Sequence, residues 1–146
     1  IIYLKNASIE LAKRIFSYRP NSYILDNPLE IYQMFRYDFI NLKHEEFMVL
    51  FLDKRMRLIK SKMLSKGCSD IVFVDIKEVL NEAIKCESNN IILLHNHPSD
   101  ILEPSKSDIN TTLKIKEASN LLDINLIDHI IIGNSSYYSF VEKKKI

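Results

Sequence analysis

The stretch FMVLFL, residues 47–52, is apolar at every position. Successive side chains of a strand point to opposite faces, so this strand is apolar on both faces, and such strands lie inside sheets that are covered on both sides. A charged turn around Asp53–Arg55 and a second extended run over about 58–64 predict a β-hairpin, which Gly67 closes. We therefore expect the first arm of this hairpin in the interior of a sheet.

Helix-start signals and apolar periodicity predict the other elements. The predicted helices are a short one between Ser8 and Pro20, a second over about 28–41 that starts at Asn27 and Pro28, a third over about 76–87 capped by Asp75, and a fourth from Ser105 to about Leu122. The predicted further strands are 71–74, 91–97, 126–132 and 137–141. This order indicates an α/β (α+β) fold, in which a mixed β-sheet is flanked by helices.

Composition limits the classes of protein. The 146 residues, 47% of them hydrophobic and 27% charged, fit one globular domain. A net charge of +1 gives no broad positive field of the kind that drives non-specific nucleic-acid binding. Two isolated cysteines, the absence of a secretory signal and the absence of an apolar run near the about 20 residues that span a bilayer favour a cytoplasmic protein without membrane association. A first residue other than Met suggests a fragment of a longer chain.

The sequence HNHP at 95–98 presents two histidines at the end of a predicted strand. Side chains two apart in an extended backbone point to the same face, so His95 and His97 can reach one point. Asp108 is the nearest suitable third ligand, and two imidazoles with one carboxylate form a usual protein ligand set of catalytic zinc. The alternative is a pair of hydrogen-bonded or surface histidines, which is the commoner meaning of such a pair alone.

Ser105 and Asp108 also fit a capping box, which satisfies free backbone N–H groups at a helix start. The two interpretations are compatible, because a rigid helix start is a good place from which to present a carboxylate to a metal.

These residues resemble the JAMM (MPN+) metalloprotease signature, H-x-H-P-x6-S-x2-D, with His95, His97, Pro98, Ser105 and Asp108 in register. The surrounding HEEFMVLFLD, IILLHNHPS and LIDHIIIG are similar to the C-terminal domain of the RadC family, over roughly residues 41–142. The resemblance implies a JAMM/MPN-type sheet with cytidine-deaminase-like architecture over 41–146. Residues 1–40 would then be an N-terminal helical segment, a remnant of a missing upstream module or a linker from it.

The resemblance also implies the chemistry. One Zn²⁺ per chain, held by His95, His97 and Asp108, would activate water for hydrolysis of an amide in a peptide or protein. The family's upstream glutamate falls at Glu45 or Glu46, which face opposite ways; the family's register favours Glu45, as general base and then general acid. Ser105 would hydrogen-bond the developing oxyanion.

Three further residues near or outside the signature, Asp100, His129 and His44, have separate expectations. Asp100 stands where RadC-like proteins usually have glycine, so we expect a stiffer loop with an extra carboxylate near the metal, a weak rival to Asp108 as a ligand. His129 is interpreted as a sheet or packing histidine and His44 as a surface residue.

The leading hypothesis is a JAMM-type zinc metalloprotease. One alternative is a DNA-repair accessory or DNA-binding module, which rests on family association alone. The other is a zinc-bearing interaction domain without turnover, since one fold hosts several functions. The substrate and the oligomeric state do not follow from the sequence.

Overall fold

The computed structural model describes residues 2–17, 23–65 and 74–146. Its helices are α1 (Ile2–Ser17), α2 (Pro28–Phe39), α3 (Ile76–Lys85) and α4 (Lys106–Asn120). Its strands are β1 (Phe47–Leu52), β2 (Leu58–Ser65), β3 (Asn90–Asn96), β4 (Asn125–Ile132) and β5 (Tyr137–Ser139). Within these residues, no helix combines the length and the apolar character needed to cross a bilayer.

The five strands form one sheet in the order β2-β1-β3-β4-β5. β3 and β4 are parallel and α4 connects them, whereas the other neighbouring pairs are antiparallel. All six residues of β1 are buried, and β1 lies between β2 and β3. The predicted mixed sheet flanked by helices, and the interior position of the FMVLFL strand, are therefore confirmed.

Helices cover both faces of the sheet. Phe35 of α2 packs in a cluster with Leu50 of β1, and we call this side the α2 face. Val79 of α3 and Ile115 of α4 pack in a second cluster with Val49 of β1, and we call this side the α4 face. Along β1 the even-numbered side chains join the first cluster and the odd-numbered ones the second, as strand periodicity requires.

Polar side chains near the ends of β3 fix its register against β1. Because both faces of β1 are apolar, the hydrophobic pattern alone does not decide this register. Asn90 Nδ2 donates to the carbonyl of Asp53 at 2.8 Å, and at the other end Asn96 Oδ1 accepts from the Glu46 N–H at 2.7 Å. In the resulting register Phe47 lies opposite His95.

Two helix starts follow the predicted caps. The Asn27 side chain accepts from the backbone N–H of Leu29 at 2.9 Å, and the Asp75 side chain accepts from Lys77 N–H at 2.9 Å. Each acceptor satisfies a donor that has no partner within its own helix, which favours the helix starting at that residue.

Some boundaries differ from the predicted ones. α1 begins at Ile2, before the predicted start at Ser8, whose hydroxyl instead donates to the Leu4 carbonyl one turn back at 2.8 Å. β5 has three residues, fewer than predicted, because the chain turns at Phe140. Positions 71–73 of the predicted strand at 71–74, and Gly67, lie outside the described residues.

Candidate metal centre

Three possible metal ligands converge where β3 ends and α4 begins. Nε2 of His95 lies 2.9 Å from Nε2 of His97 and 3.4 Å from one carboxylate oxygen of Asp108. Nε2 of His97 lies 3.4 Å from the other oxygen of Asp108. Within the part of the chain that the structure describes, these three side chains form the one such group of histidine, cysteine and acidic residues.

The end of β3 directs both imidazoles to the same place. His95 lies in the strand and is 1% exposed, while His97, one residue past its end, is 9% exposed. The His97 N–H still donates to the Ile132 carbonyl at 3.2 Å, which prolongs the pairing with β4 beyond the strand itself. Both side chains therefore keep the extended geometry that points them to the α4 face.

A capping box holds the third ligand. The Ser105 hydroxyl oxygen accepts from the Asp108 backbone N–H at 3.0 Å, and the Asp108 carboxylate accepts from the Ser105 backbone N–H at 2.7 Å. The predicted capping box is confirmed. The carboxylate is thus fixed from behind by the first turn of α4 while its oxygens face the histidines.

A chain of hydrogen bonds fixes the proton on His95. The Thr112 hydroxyl donates to the Asp108 carbonyl at 2.6 Å, so its oxygen is left to accept from His129 Nδ1, also at 2.6 Å. With its proton on Nδ1, neutral His129 presents the Nε2 lone pair to His95 Nδ1 at 2.7 Å. His95 must then carry its proton on Nδ1, and its Nε2 lone pair faces Asp108 and His97.

The same argument applies to His97. Its Nδ1 lies 2.5 Å from the Ile101 carbonyl, which can only accept, so the proton of neutral His97 is on Nδ1 and Nε2 is unprotonated. Two imidazole lone pairs and a carboxylate thus face one another, an arrangement that needs a positive charge between them. Ligands of a tetrahedral zinc lie about 3.3 Å apart, given metal–ligand distances of about 2.0–2.1 Å, close to the separations observed here.

The pKa shifts of the cluster also indicate that a positive charge is favoured between its three side chains. Burial lowers the pKa of His95 to about 4, so this side chain is neutral at physiological pH. Burial opposes ionisation of Asp108, but its hydrogen bonds with His97 and Ser105 outweigh burial and hold the Asp108 pKa well below its usual range. Burial also opposes the charged form of His97, yet its hydrogen bonds to Asp108 and Ile101 raise its pKa. The cluster therefore favours either a proton on His97 or a divalent cation.

Glu45 lies beside the cluster, with a carboxylate oxygen 3.9 Å from His97 Nε2. The register that pairs Phe47 with His95 brings Glu45 next to His97 on the α4 face. Glu46 instead contacts the exposed His44 at 3.0 Å. Of the two glutamates Glu45 is thus the one whose carboxylate lies near the cluster, its catalytic role stays a prediction, and His44 lies at the surface as expected.

Asp100 does not contribute to the cluster. Its backbone adopts the left-handed conformation, with φ of 61°, and its carboxylate accepts from the Asn134 N–H at 2.8 Å. The expectation of a rival ligand is wrong, because that hydrogen bond draws the side chain toward the turn after β4. Aspartate is among the few non-glycine residues that adopt this conformation readily, so the loop keeps a glycine-like shape.

The hydrogen bonds of His129 and Thr112 to the cluster do not follow from the sequence. His129 is fully buried in β4 and stacks on Phe140, with ring centroids 4.7 Å apart. Its interpretation as a packing histidine therefore describes where it lies but not its hydrogen bond to His95. Its hydrogen bond to His95 depends on the parallel register of β3 and β4, in which Leu93 lies opposite His129. The sequence offers no signal for that register, although a polar residue inside LIDHIII marks the position.

The five-stranded mixed sheet and the cluster of His95, His97 and Asp108 together are typical of a JAB/MPN-type domain. A profile described as "RadC-like JAB domain" matches residues 25–145. The chain belongs to this RadC family, as the sequence resemblance predicted, and the match includes α2.

Several similar proteins share the designation UPF0758. The chain is 42% identical over 139 residues to the UPF0758 protein NTHI1125 of Haemophilus influenzae, covering 93% of this chain and 62% of the relative. It is 38% identical over 138 residues to the UPF0758 protein SH1266 of Staphylococcus haemolyticus, covering 94% and 60%. It is 36% identical over 136 residues to the UPF0758 protein CD630_11440 of Clostridioides difficile, covering 93% and 58%. The chain thus spans about 60% of the length of these curated relatives.

Proposed function

We propose that this chain is a zinc-dependent hydrolase of the JAMM type that cleaves an amide bond in a peptide or protein substrate. The observation that supports this most is the convergence of Nε2 of His95 and Nε2 of His97 with the carboxylate of Asp108. Membership of the JAB family supports the same reaction class.

His95, His97 and Asp108 would hold the metal, and neutral imidazole with carboxylate is a ligand set that zinc prefers. A zinc ion bound there supplies Lewis acidity, which lowers the pKa of water and polarises a substrate carbonyl. The buried positions of the two histidines exclude bulk water from their side of the centre.

Glu45 is suited to proton transfer. Its side chain is 27% exposed and lies 3.9 Å from His97, between the buried ligands and solvent. In the proposed reaction it takes a proton from the attacking water and gives it to the leaving nitrogen, which is general base and then general acid catalysis.

Ser105 is suited to stabilise the oxyanion. Its oxygen accepts from the Asp108 N–H, so its hydroxyl proton stays available for a second hydrogen bond. Donation of that proton to the oxygen of the attacked carbonyl would stabilise the developing charge.

A matched pair of glutamate variants tests this proposal. Glu45→Gln and the neighbouring Glu46→Gln are purified, and both zinc content and cleavage of a peptide library are measured. We expect Glu45→Gln to retain zinc and to lose about 100-fold or more in hydrolysis, whereas Glu46→Gln retains activity. Full activity of Glu45→Gln would refute the assignment, and retained zinc with no cleavage by the wild type would instead indicate a non-catalytic interaction domain.

A further inference from the structure

A cavity of about 850 Å³ opens on the α2 face of the sheet, where β3 and β4 end. Its lining includes His97 just after β3, Gly133 and Asn134 after β4, Arg36 of α2, Lys43 between α2 and β1, and Lys5 of α1. Ligand sites in proteins have volumes of about 300–1,000 Å³, so this cavity can hold a peptide segment or a molecule of similar size. His97 is part of its wall, but its imidazole points to the α4 face, so a peptide in the cavity reaches the proposed reaction site only by extending past His97.

The cavity is lined by positive charge. Lys5, Arg36 and Lys43 contribute side chains to it, and no carboxylate is among the described residues of its wall. Lys5 and Lys43 are exposed, so both ammonium groups can move toward a bound anion. This local charge contrasts with the nearly neutral chain, whose net charge is +1.

Arg36 is held in place for recognition. One guanidinium nitrogen donates to the Asn134 carbonyl at 2.9 Å, and the guanidinium carbon lies 5.2 Å from the ring centre of Tyr32 and 5.6 Å from that of Tyr37. A guanidinium has five N–H donors in a planar fork, so the hydrogen bond to Asn134 leaves others available. A fixed fork of this kind suits a carboxylate, which it can bind through two parallel hydrogen bonds.

Negative groups also lie near the cavity but outside its described wall, among them Asp38 in the last turn of α2 and Asp100. The carboxyl end of α2 carries a partial charge of about half a unit. The Asp100 carboxylate accepts from Asn134 N–H and is not part of the wall. Among the described residues of the wall, the fully charged side chains are therefore the three cations.

We propose that this cavity binds a carboxylate of the substrate, on the other side of His97 from the amide bond that the metal centre cleaves. The position of the cleaved bond rests on the proposed function. The class of substrate is inferred from the charge and the shape of the cavity. The carboxylate belongs either to an aspartate or glutamate side chain or to the C-terminus of a peptide, since both present the same group to Arg36.

Binding of short labelled peptides to the metal-free protein, followed by fluorescence anisotropy, tests this proposal. One peptide contains glutamates, a second has glutamine at the same positions, and each is made with a free and with an amidated C-terminus. The variants are Lys43→Glu, Lys5→Glu and Arg36→Lys, and the matched control is Lys114→Glu, which reverses an exposed charge on α4. Removal of the metal by a chelator prevents the peptide carboxylate from binding to the metal itself.

We expect the glutamate peptide, or the peptide with a free C-terminus, to bind about fivefold or more tightly than its uncharged counterpart. Lys43→Glu and Lys5→Glu should each weaken that binding about fivefold, and Lys114→Glu should leave it unchanged. Arg36→Lys should also weaken it, because lysine retains the charge and loses the fork. The peptide series that shows the effect identifies which of the two carboxylates is bound.

Equal affinity for charged and uncharged peptides would overturn the proposal, and so would an equal loss in the Lys114→Glu control. Tighter binding of a single-stranded oligonucleotide than of the glutamate peptide would also overturn it and favour a nucleic-acid ligand. Since the assay uses metal-free protein, its failure leaves the hydrolase proposal standing, and absence of zinc or turnover leaves the binding result standing.

Discussion

Replacement of His129 by phenylalanine is expected to weaken metal binding although it changes no ligand. His95 Nδ1 donates to His129 Nε2 at 2.7 Å, and both side chains are buried. Phenylalanine keeps an aromatic ring against Phe140, whose ring centroid lies 4.7 Å away, so much of the packing is retained. The substitution removes the acceptor for the proton of His95.

The expected loss of metal affinity follows from the His95 Nδ1–H group, which is buried and loses its acceptor in the variant. A buried N–H group without a partner costs about 1–3 kcal/mol. In the variant, His95 avoids this cost by carrying its proton on Nε2, where it faces His97 and Asp108. A metal can bind only after that proton has moved back, so the cost falls on metal affinity. We expect about 10–100-fold weaker binding, the range observed when partners of metal-ligating histidines are removed.

Competition with a chromophoric zinc chelator measures the affinity. Thr112→Val should weaken zinc binding as well, because it removes the acceptor for His129 Nδ1 and keeps the side-chain shape. Ser119→Ala is the control, since Ser119 is a buried hydroxyl on the same helix and its hydrogen bond goes to the Lys116 carbonyl at 3.2 Å. Wild-type affinity in a well-folded His129→Phe variant would refute the reasoning.

Three further predictions concern stability and are checked by denaturant unfolding. Ser105→Ala should lower the unfolding free energy by about 1 kcal/mol because it removes the cap, and Ser105→Asn should restore most of it; equal loss in both would contradict the capping role. Asp100→Ala should lower it by about 1–2 kcal/mol, since alanine adopts the left-handed backbone less readily and loses the bond to Asn134, whereas a similar loss in Asp100→Asn is not expected. Hydrogen bonds from Lys60 and Lys62 lower the pKa of Glu82 to about 2, so its contribution is complete above its ordinary pKa of 4.5 and is lost as the pH falls toward 2. Glu82→Gln should therefore flatten the acid side of the stability profile, and an unchanged profile would show that Glu82 contributes little.

The sequence predicts where the side chains of the cluster point, because their orientation depends on local backbone geometry. His95 and His97 lie two apart in an extended segment, and that spacing alone puts them on one face. Asp108 follows a capping serine, and a cap fixes where a helix begins and where its first side chains lie. The interior position of β1 could also be predicted from the sequence, because a strand with six consecutive apolar residues does not fit a half-exposed position.

The remaining features depend on contacts between distant parts of the chain. His129 reaches His95 only through the register of β3 against β4, and Thr112 reaches His129 only through the docking of α4 on the sheet. The orientation of Asp100 depends on the turn after β4, which supplies the Asn134 N–H. Local sequence patterns do not specify these long-range pairings, since both faces of the sheet are apolar.

Zinc content of the purified chain, measured by inductively coupled plasma mass spectrometry, tests the central claim most directly. The wild type, His97→Ala and Asp108→Ala are each reconstituted with zinc and freed of excess metal. The geometry predicts about one zinc per wild-type chain and loss of that zinc in both variants, because each removes one of three protein ligands. A reconstituted wild-type protein that holds no zinc, or zinc retained in both variants, would contradict the assignment of this cluster as the metal centre.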